Sequence, residues 1–158
     1  MRPYMDKVMP DAWKAALAFS SAIREAAAQR GLSAQESELI KVRASQINAC
    51  AFCLDLHGRE ARQSGIPQQK LDMLPAWRES PLFDERERSI LAVVEAATVL
   101  PPTEESRADL SGALSVLGEP TFVAAEWVAV TINAFNRISI LSEHPVRPRD
   151  VEGAVIRG

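Results

Sequence analysis

The chain has 158 residues, of which 47% are hydrophobic and 25% are charged, so its composition is that of one ordinary globular domain and excludes disordered and fibrous proteins. Its formal charge of −3 leaves no basic surface for a phosphate backbone, so we expect no nucleic-acid partner. Residues 1–10 lack the apolar core of a secretory peptide and no window is apolar over a bilayer's thickness, so we expect a cytoplasmic protein that binds no membrane.

Prolines and glycines divide the sequence into segments of helical length, and β-branched residues nowhere alternate with polar ones over the length of a strand. The sequence therefore predicts an all-α fold. A single domain is expected over residues 1–145. Residues 146–158 mix proline, arginine, aspartate and glycine without periodicity, which predicts a loosely ordered C-terminal tail.

The sequence predicts seven helical segments. The first covers residues 11–30, and its predicted buried stripe consists of Trp13, Leu17, Ala18 and Ile23. The second follows a capping box formed by Ser33 and Glu36 and continues to about Ile47. After a bend at residues 46–48, a third helix carries both cysteines and ends at Ser64. The remaining predicted segments cover residues 67–75, 85–100, 103–117 and 120–141.

The last predicted helix is apolar on nearly all sides. Its large apolar side chains are Phe122, Val123, Trp127, Val130, Ile132, Phe135, Ile138 and Leu141. A helix of this kind lies either at the centre of a bundle or at a contact between subunits. We therefore expect a homo-oligomer.

The two cysteines of the chain, Cys50 and Cys53, lie close to one of its two histidines, His57. At about 100° per residue, positions 50, 53 and 57 share one narrow stripe of a helix. Thiols at this spacing lie within the Cα range that a disulfide tolerates, so the pair can be oxidised without large backbone motion. The amino end of the helix and His57 are both expected to lower the pKa of a nucleophilic thiol.

Other interpretations of these residues stay open. One is structural, with two small buried cysteines and a surface histidine. Another is a zinc site in which Cys50, Cys53 and His57 are joined by His144 or Glu38, because structural zinc sites have four ligands. A further alternative is a non-enzymatic helical oligomer whose cysteines sense oxidation or bind a ligand.

The stretch from Glu38 to His57, ELIKVRASQINACAFCLDLH, resembles the core of the AhpD-like, carboxymuconolactone decarboxylase superfamily. The likeness extends over most of residues 10–142 through the sequences REAR (59–62), WRE (77–79), FDERER (83–88) and INAFNR (132–137). The resemblance implies an AhpD-like helical bundle with a Cys-x-x-Cys helix, assembled into trimers or hexamers. It also implies an alkylhydroperoxidase that uses neither haem nor metal.

The same resemblance implies a role for each candidate site residue. Cys53 attacks the hydroperoxide, Cys50 resolves the resulting sulfenic acid as a disulfide, and Glu38 and His57 relay the proton. An external dithiol, either lipoyl-type or thioredoxin-like, then reduces the disulfide. The chain departs from the family's peroxidases at Phe52, where they carry a histidine directly before the second cysteine.

Glu38 has two candidate partners. Lys41 lies three residues further on and is placed to pair with it on a solvated helix face. Glu38 also lies ten residues before Asn48, and His57 lies nine residues after it, so a helical hairpin at that point would make their side chains neighbours.

Overall fold

The computed structural model describes residues 2–156; Met1 of the predicted domain and Arg157 and Gly158 of the predicted tail lie outside the described residues. Within this range the fold is all-α, which confirms the predicted fold class. The helices are α1 (Met5–Val8), α2 (Pro10–Gln29), α3 (Ala34–Ile47), α4 (Ala51–Gln63), α5 (Gln68–Met73), α6 (Glu85–Thr98), α7 (Glu104–Leu117) and α8 (Glu119–Leu141), with a 3₁₀ turn (Leu74–Ala76) after α5.

The amino ends of α3 and α6 follow from short-range hydrogen bonds that the sequence predicts. Ser33 Oγ accepts from the Glu36 amide at 3.1 Å, and Glu36 Oε2 accepts from the Ser33 amide at 2.7 Å. Asp84 and Glu87 form the same reciprocal pair at the start of α6. Each box satisfies two amides that a helix leaves free at its first turn, which fixes the residue at which the helix begins.

The third predicted helix begins later than expected. The prediction that this helix carries both cysteines is wrong, because α4 starts at Ala51. Cys50 is its N-cap and has extended backbone angles of φ −84° and ψ 95°. The reason is a tight turn: Asn48 caps the end of α3 and Ala49 adopts a left-handed conformation with φ 52°. Only Cys53 is therefore carried by a helix, and Cys50 precedes it.

The hydrophobic core lies between α3, α6 and α8, with α4 packed against α3. The largest side chains that are fully buried there are Leu39, Ile40, Leu74, Ile90, Leu91, Val93 and Val94. Because α3 and α4 form a hairpin over this core, the side chains of α4 that face α3 are held against a rigid support.

A buried amide network fixes the turn between α3 and α4 to α8. The Asn48 side-chain amide donates to Asn133 Oδ1 at 2.8 Å and to Asn136 Oδ1 at 2.9 Å. Asn136, which is completely buried, donates in turn to Ser45 Oγ at 3.0 Å. Buried polar groups that satisfy one another in this way specify one packing arrangement. The position of Cys50, two residues after Asn48, follows from this network.

The predicted buried stripe of the first helix is wrong in part. Leu17 and Ala18 are exposed, and Trp13 and Ile23 are only half-buried. The reason is that α2 lies along the outside of the bundle and packs mainly on α8, where Trp13 contacts the Phe135 ring edge to face. Part of its apolar side therefore lines a cavity instead of the core.

Helix α8 has a buried and an exposed apolar side. Its buried side includes Ala125, Val128, Ala129 and Ile132. Its exposed large apolar residues are Val123, Trp127, Val130, Ile140 and Leu141. None of the helices within residues 2–156 combines the length and apolar character required to cross a bilayer.

Candidate functional site

The two cysteines are free thiols that differ in their access to a cavity. Both are buried, with exposed fractions of 1% for Cys50 and 3% for Cys53. Cys53 lines a cavity of about 870 Å³, whereas Cys50 is not among the lining residues. The Cys53 amide donates to Cys50 Sγ at 3.4 Å, so the two residues are in contact at the start of α4. A molecule in the cavity therefore meets Cys53 first.

The Cys50 thiol is held in its protonated form. Burial raises the pKa of Cys50 to about 12, and the neighbouring Cys53 side chain adds to this effect. The Cys53 amide and the Asn136 side chain act in the opposite direction without cancelling it. At neutral pH Cys50 is a thiol and not a thiolate, which makes it a poor first nucleophile.

Glu38 and His57 are brought together by the α3–α4 hairpin. His57 Nδ1 lies 3.3 Å from Glu38 Oε2, and Lys41 Nζ donates to Glu38 Oε1 at 2.6 Å, so Glu38 contacts both of its candidate partners. Burial raises the pKa of Glu38, but the hydrogen bond from His57 and the charge of Lys41 outweigh it and hold the pKa below its ordinary value. Glu38 is consequently a carboxylate at neutral pH.

Glu60 is a further partner of His57 that the sequence analysis missed. Its Oε2 atom lies 2.9 Å from His57 Nδ1, closer than the oxygen of Glu38. The signal was available in the sequence, because residues 57 and 60 are three apart on one helix and share a side of it. Two carboxylates around Nδ1 favour a proton on that nitrogen and so fix the tautomer of the ring.

The opposite ring nitrogen of His57 is left for a molecule in the cavity. His57 lines the same cavity as Cys53, and its Nε2 has no hydrogen-bond partner within residues 2–156. Over the same range no hydrogen bond joins the His57 ring to the Cys53 thiol. Of the three residues expected to share one stripe, Cys53 and His57 line the same cavity. Cys50 does not line it, because it is the N-cap of α4.

His144 lines the cavity, a position that no local pattern in the sequence indicates. Its ring packs edge to face on Phe52, with centroids 5.3 Å apart, and on Tyr4 at 5.1 Å. Its Nε2 lies 3.3 Å from Asp6 Oδ1, and its Nδ1 lies 3.4 Å from Ser139 Oγ. Burial raises the pKa of Asp6, but hydrogen bonds from His144 and Lys7 outweigh it and lower the pKa. His144 therefore brings α1 and the segment after α8 together at the cavity, although it lies 138 residues from Asp6 in the sequence.

The zinc ligand set considered from the sequence is not assembled. Among residues 2–156, the side chains whose ligand atoms lie close enough to share a metal ion are Glu38, His57 and Glu60, all within 4.8 Å of one another. Neither cysteine belongs to this group, and His144 lies with Asp6 instead.

The sequence of the chain is similar to those of known proteins. The model of the carboxymuconolactone decarboxylase family matches residues 10–96, which is more than half of the chain. The uncharacterized protein YdfG of Bacillus subtilis is 33% identical over 112 residues, covering 71% of this chain and 76% of YdfG. The uncharacterized protein YnjA of Escherichia coli is 38% identical over 65 residues, covering 41% of this chain and 36% of YnjA.

A crystal structure with the same fold comes from Agrobacterium tumefaciens. It superposes with a TM-score of 0.79 at 33% sequence identity, and the match covers 92% of this chain and 98% of that one. The Agrobacterium protein, ATU0492, is described as a protein of unknown function and proposed to be the antioxidant defence protein AhpD.

Proposed function

The chain belongs to the carboxymuconolactone decarboxylase family, and from this membership and the paired thiols beside a cavity we propose that it is a thiol-dependent alkylhydroperoxidase. The antioxidant role proposed for the Agrobacterium protein of the same fold supports this proposal. The observation that carries it is the unequal placement of the thiols: Cys53 lines the cavity, and Cys50 lies behind it in contact with the Cys53 amide.

In the first step Cys53 attacks the terminal oxygen of a hydroperoxide. The S–O bond forms as the O–O bond breaks, giving a sulfenic acid on Cys53 and an alcohol. The thiol proton passes to His57 and from there to the departing alkoxide, so the step balances without any outside acid. Glu38 and Glu60 stabilise the charge that the imidazole carries between these two transfers, because both accept at Nδ1.

In the second step Cys50 resolves the sulfenic acid. Its thiol condenses with the sulfenic sulfur, a disulfide forms and water leaves. The high pKa of Cys50 supports this order of events, since a thiol that stays protonated does not compete with Cys53 for the peroxide. An external dithiol, lipoyl-type or thioredoxin-like, then reduces the Cys50–Cys53 disulfide by two exchange reactions and becomes a disulfide itself. The cycle needs no bound cofactor, and we place it in the cytoplasm.

Consumption of tert-butyl hydroperoxide with dihydrolipoamide as reductant tests the proposal. The wild-type protein turns over continuously, whereas Cys53→Ser loses at least a hundredfold in kcat/KM. Wild-type rates in Cys53→Ser would contradict the proposal. Formation of the disulfide in the wild-type protein without continuous turnover would also contradict it, and would indicate a redox sensor.

We also propose that the protein assembles as a trimer or hexamer through the exposed side of α8. Val123, Trp127 and Val130 lie exposed there, and Phe19 of α2 packs on Trp127 with ring centroids 5.9 Å apart. An aromatic and aliphatic surface of this kind favours association between copies. Sedimentation equilibrium of the wild-type protein and of Trp127→Glu tests this, and a wild-type monomer at micromolar concentration would contradict it.

A further inference from the structure

The cavity beside Cys53 is much larger than a small peroxide requires. Its volume is about 870 Å³, and it extends along α2 from Trp13 to Arg24, which corresponds to about 16 Å of helix. Its apolar wall is formed by two helices that run side by side, with Trp13, Leu17 and Ile23 from α2 and Val128, Ile132 and Phe135 from α8. Burying apolar surface in such a space favours an extended apolar molecule.

The same cavity carries an excess of positive charge. Arg59, Arg147 and Arg149 line it together with the carboxylate of Asp55, and the other lining carboxylate, Asp6, is paired elsewhere. Arg59 Nη2 donates to Asp55 Oδ2 at 3.3 Å, and Arg149 Nε lies 3.4 Å from Asp55 Oδ1. Arg147 contacts no carboxylate within residues 2–156. Asp55 alone cannot neutralise three guanidinium groups, so the lining of the cavity attracts an anion.

One nitrogen of this cluster is buried without a hydrogen bond. Arg149 Nη1 donates to the Gly153 carbonyl at 3.0 Å, but Arg149 Nε makes no hydrogen bond although it is shielded from solvent. Asp55 Oδ1 lies 3.4 Å from this nitrogen without forming a hydrogen bond, so the guanidinium group of Arg149 keeps donors that a bound carboxylate would use. The cluster lies close to the thiols, since Arg59 is six residues after Cys53 on α4, about 9 Å along its axis.

We propose that this cavity binds a long-chain hydroperoxide that carries a carboxylate, the class to which fatty-acid hydroperoxides belong. The apolar chain lies against the wall of α2 and α8, and the carboxylate is bound by Arg59, Arg147 and Arg149. This inference rests on the proposed peroxidase function, because it names the substrate that Cys53 meets. The charge separates this class from neutral alkyl hydroperoxides of the same length.

Binding of unreactive analogues tests the inference without peroxidase activity. Isothermal titration with decanoate and with decan-1-ol compares two molecules of equal chain length that differ in charge. Decanoate is expected to bind at least tenfold more tightly. In Arg147→Gln/Arg149→Gln that preference is expected to fall to near one. Arg107→Gln, which changes an exposed arginine of α7, is the matched control and keeps the wild-type preference.

Two further variants change exposed side chains, so that an effect on binding is not caused by unfolding. Arg147→Gln alone changes an exposed side chain, and a threefold or greater loss of decanoate affinity is expected from it. Leu17→Glu places a charge on the apolar wall at an exposed position and is expected to weaken the binding of both decanoate and decan-1-ol. Equal binding of decanoate and decan-1-ol by the wild-type protein, or an unchanged preference in the arginine variants, would overturn the inference.

The outcome for the inference is distinguishable from that for the proposed function. If tert-butyl hydroperoxide is consumed through Cys53 but decanoate does not bind, the substrate class is wrong and the peroxidase proposal stands. If decanoate binds through the arginines but no hydroperoxide is consumed, the binding site stands and the peroxidase proposal fails. If both hold, kcat/KM for a fatty-acid hydroperoxide is expected to exceed that for its methyl ester at least tenfold.

Discussion

Cys50 caps the helix that carries Cys53: its sulfur accepts a hydrogen bond from the Cys53 amide at 3.4 Å. This contact holds the Cys50 thiol next to Cys53, but Cys50 does not line the cavity. Because Cys50 is extended and not helical, its position depends on the turn at Asn48 and Ala49 as well as on the Cys-x-x-Cys spacing. The side chain proposed to resolve the sulfenic acid is therefore also the one that caps α4.

The capping role predicts different stabilities for two substitutions of Cys50. Serine retains a side-chain acceptor at the N-cap, so the free energy of unfolding of Cys50→Ser is expected to lie within about 0.5 kcal/mol of the wild-type value. Cys50→Ala removes the acceptor and is expected to cost about 1 kcal/mol. Urea denaturation under reducing conditions measures both, and equal stabilities for the two variants would contradict the cap.

The two carboxylates at His57 predict unequal losses of peroxidase activity. Glu38→Gln is expected to lower kcat/KM at least tenfold, because that carboxylate is buried and its charge is poorly screened. Glu60→Gln is expected to lower it only severalfold, because the Glu60 side chain is 42% exposed. Steady-state kinetics with tert-butyl hydroperoxide distinguish the two, with the exposed Glu79→Gln as control. A larger loss in Glu60→Gln than in Glu38→Gln would reverse the assignment.

Glu95 predicts a loss of stability in acid. Its Oε1 accepts from Arg43 Nη2 and from Trp77 Nε1, each at 2.8 Å, and Arg78 Nη2 donates to Oε2 at 3.1 Å. Burial raises the pKa of Glu95, but these contacts outweigh it and leave the pKa below the ordinary 4.5. As the pH falls below 4.5 the unfolded chain takes up a proton before the folded chain does, so stability declines.

Glu95→Gln is therefore expected to cost about 2 kcal/mol at pH 7, since it removes the charge that pairs with Arg43 and replaces one acceptor oxygen by an amide donor. The difference from the wild-type protein is expected to shrink between pH 5 and pH 3. Urea denaturation across this range measures it, with the exposed Glu25→Gln as control. A difference that stays constant down to pH 3 would contradict a lowered pKa.

The buried amide network predicts that Asn136 stabilises the turn before Cys50. Asn136→Ala removes its bonds to Asn48 and Ser45 and leaves buried groups unsatisfied, which is expected to cost about 2 kcal/mol. Gln63→Ala, at an exposed position of α4, is the control and is expected to change stability by less than about 0.5 kcal/mol. Hydrogen exchange at the Cys50 amide is expected to quicken in Asn136→Ala alone.

Most of the fold is readable from local signals in the sequence. The capping box at Ser33, the glycine after α2 and the prolines that bound later helices predict element limits, since each acts within a few residues. The Glu38–His57 contact is also predictable, because a hairpin places residues at equal distances from its turn side by side. These features require no knowledge of how distant parts of the chain meet.

The features that the sequence did not reveal depend on distant contacts. His144 contacts Asp6 and Phe52, which are both distant from it in the sequence, and no local pattern marks these contacts. Leu17 shares the periodicity of a core residue but faces a cavity, because the packing of α2 against α8 decides which side is covered. The later start of α4 also depends on distant contacts, since the buried amides of α8 hold Asn48 and the turn at Ala49.

The most direct test of the account is to find which sulfur a hydroperoxide oxidises first. Cys50→Ser, which cannot form the disulfide, is treated with one equivalent of tert-butyl hydroperoxide in the presence of a sulfenic-acid trap such as dimedone, and the labelled peptide is identified by mass spectrometry. One adduct per chain is expected, on Cys53, and none in Cys53→Ser treated in the same way. An adduct on Cys50 in Cys53→Ser at a comparable rate, or no adduct on Cys53 in Cys50→Ser, would contradict it.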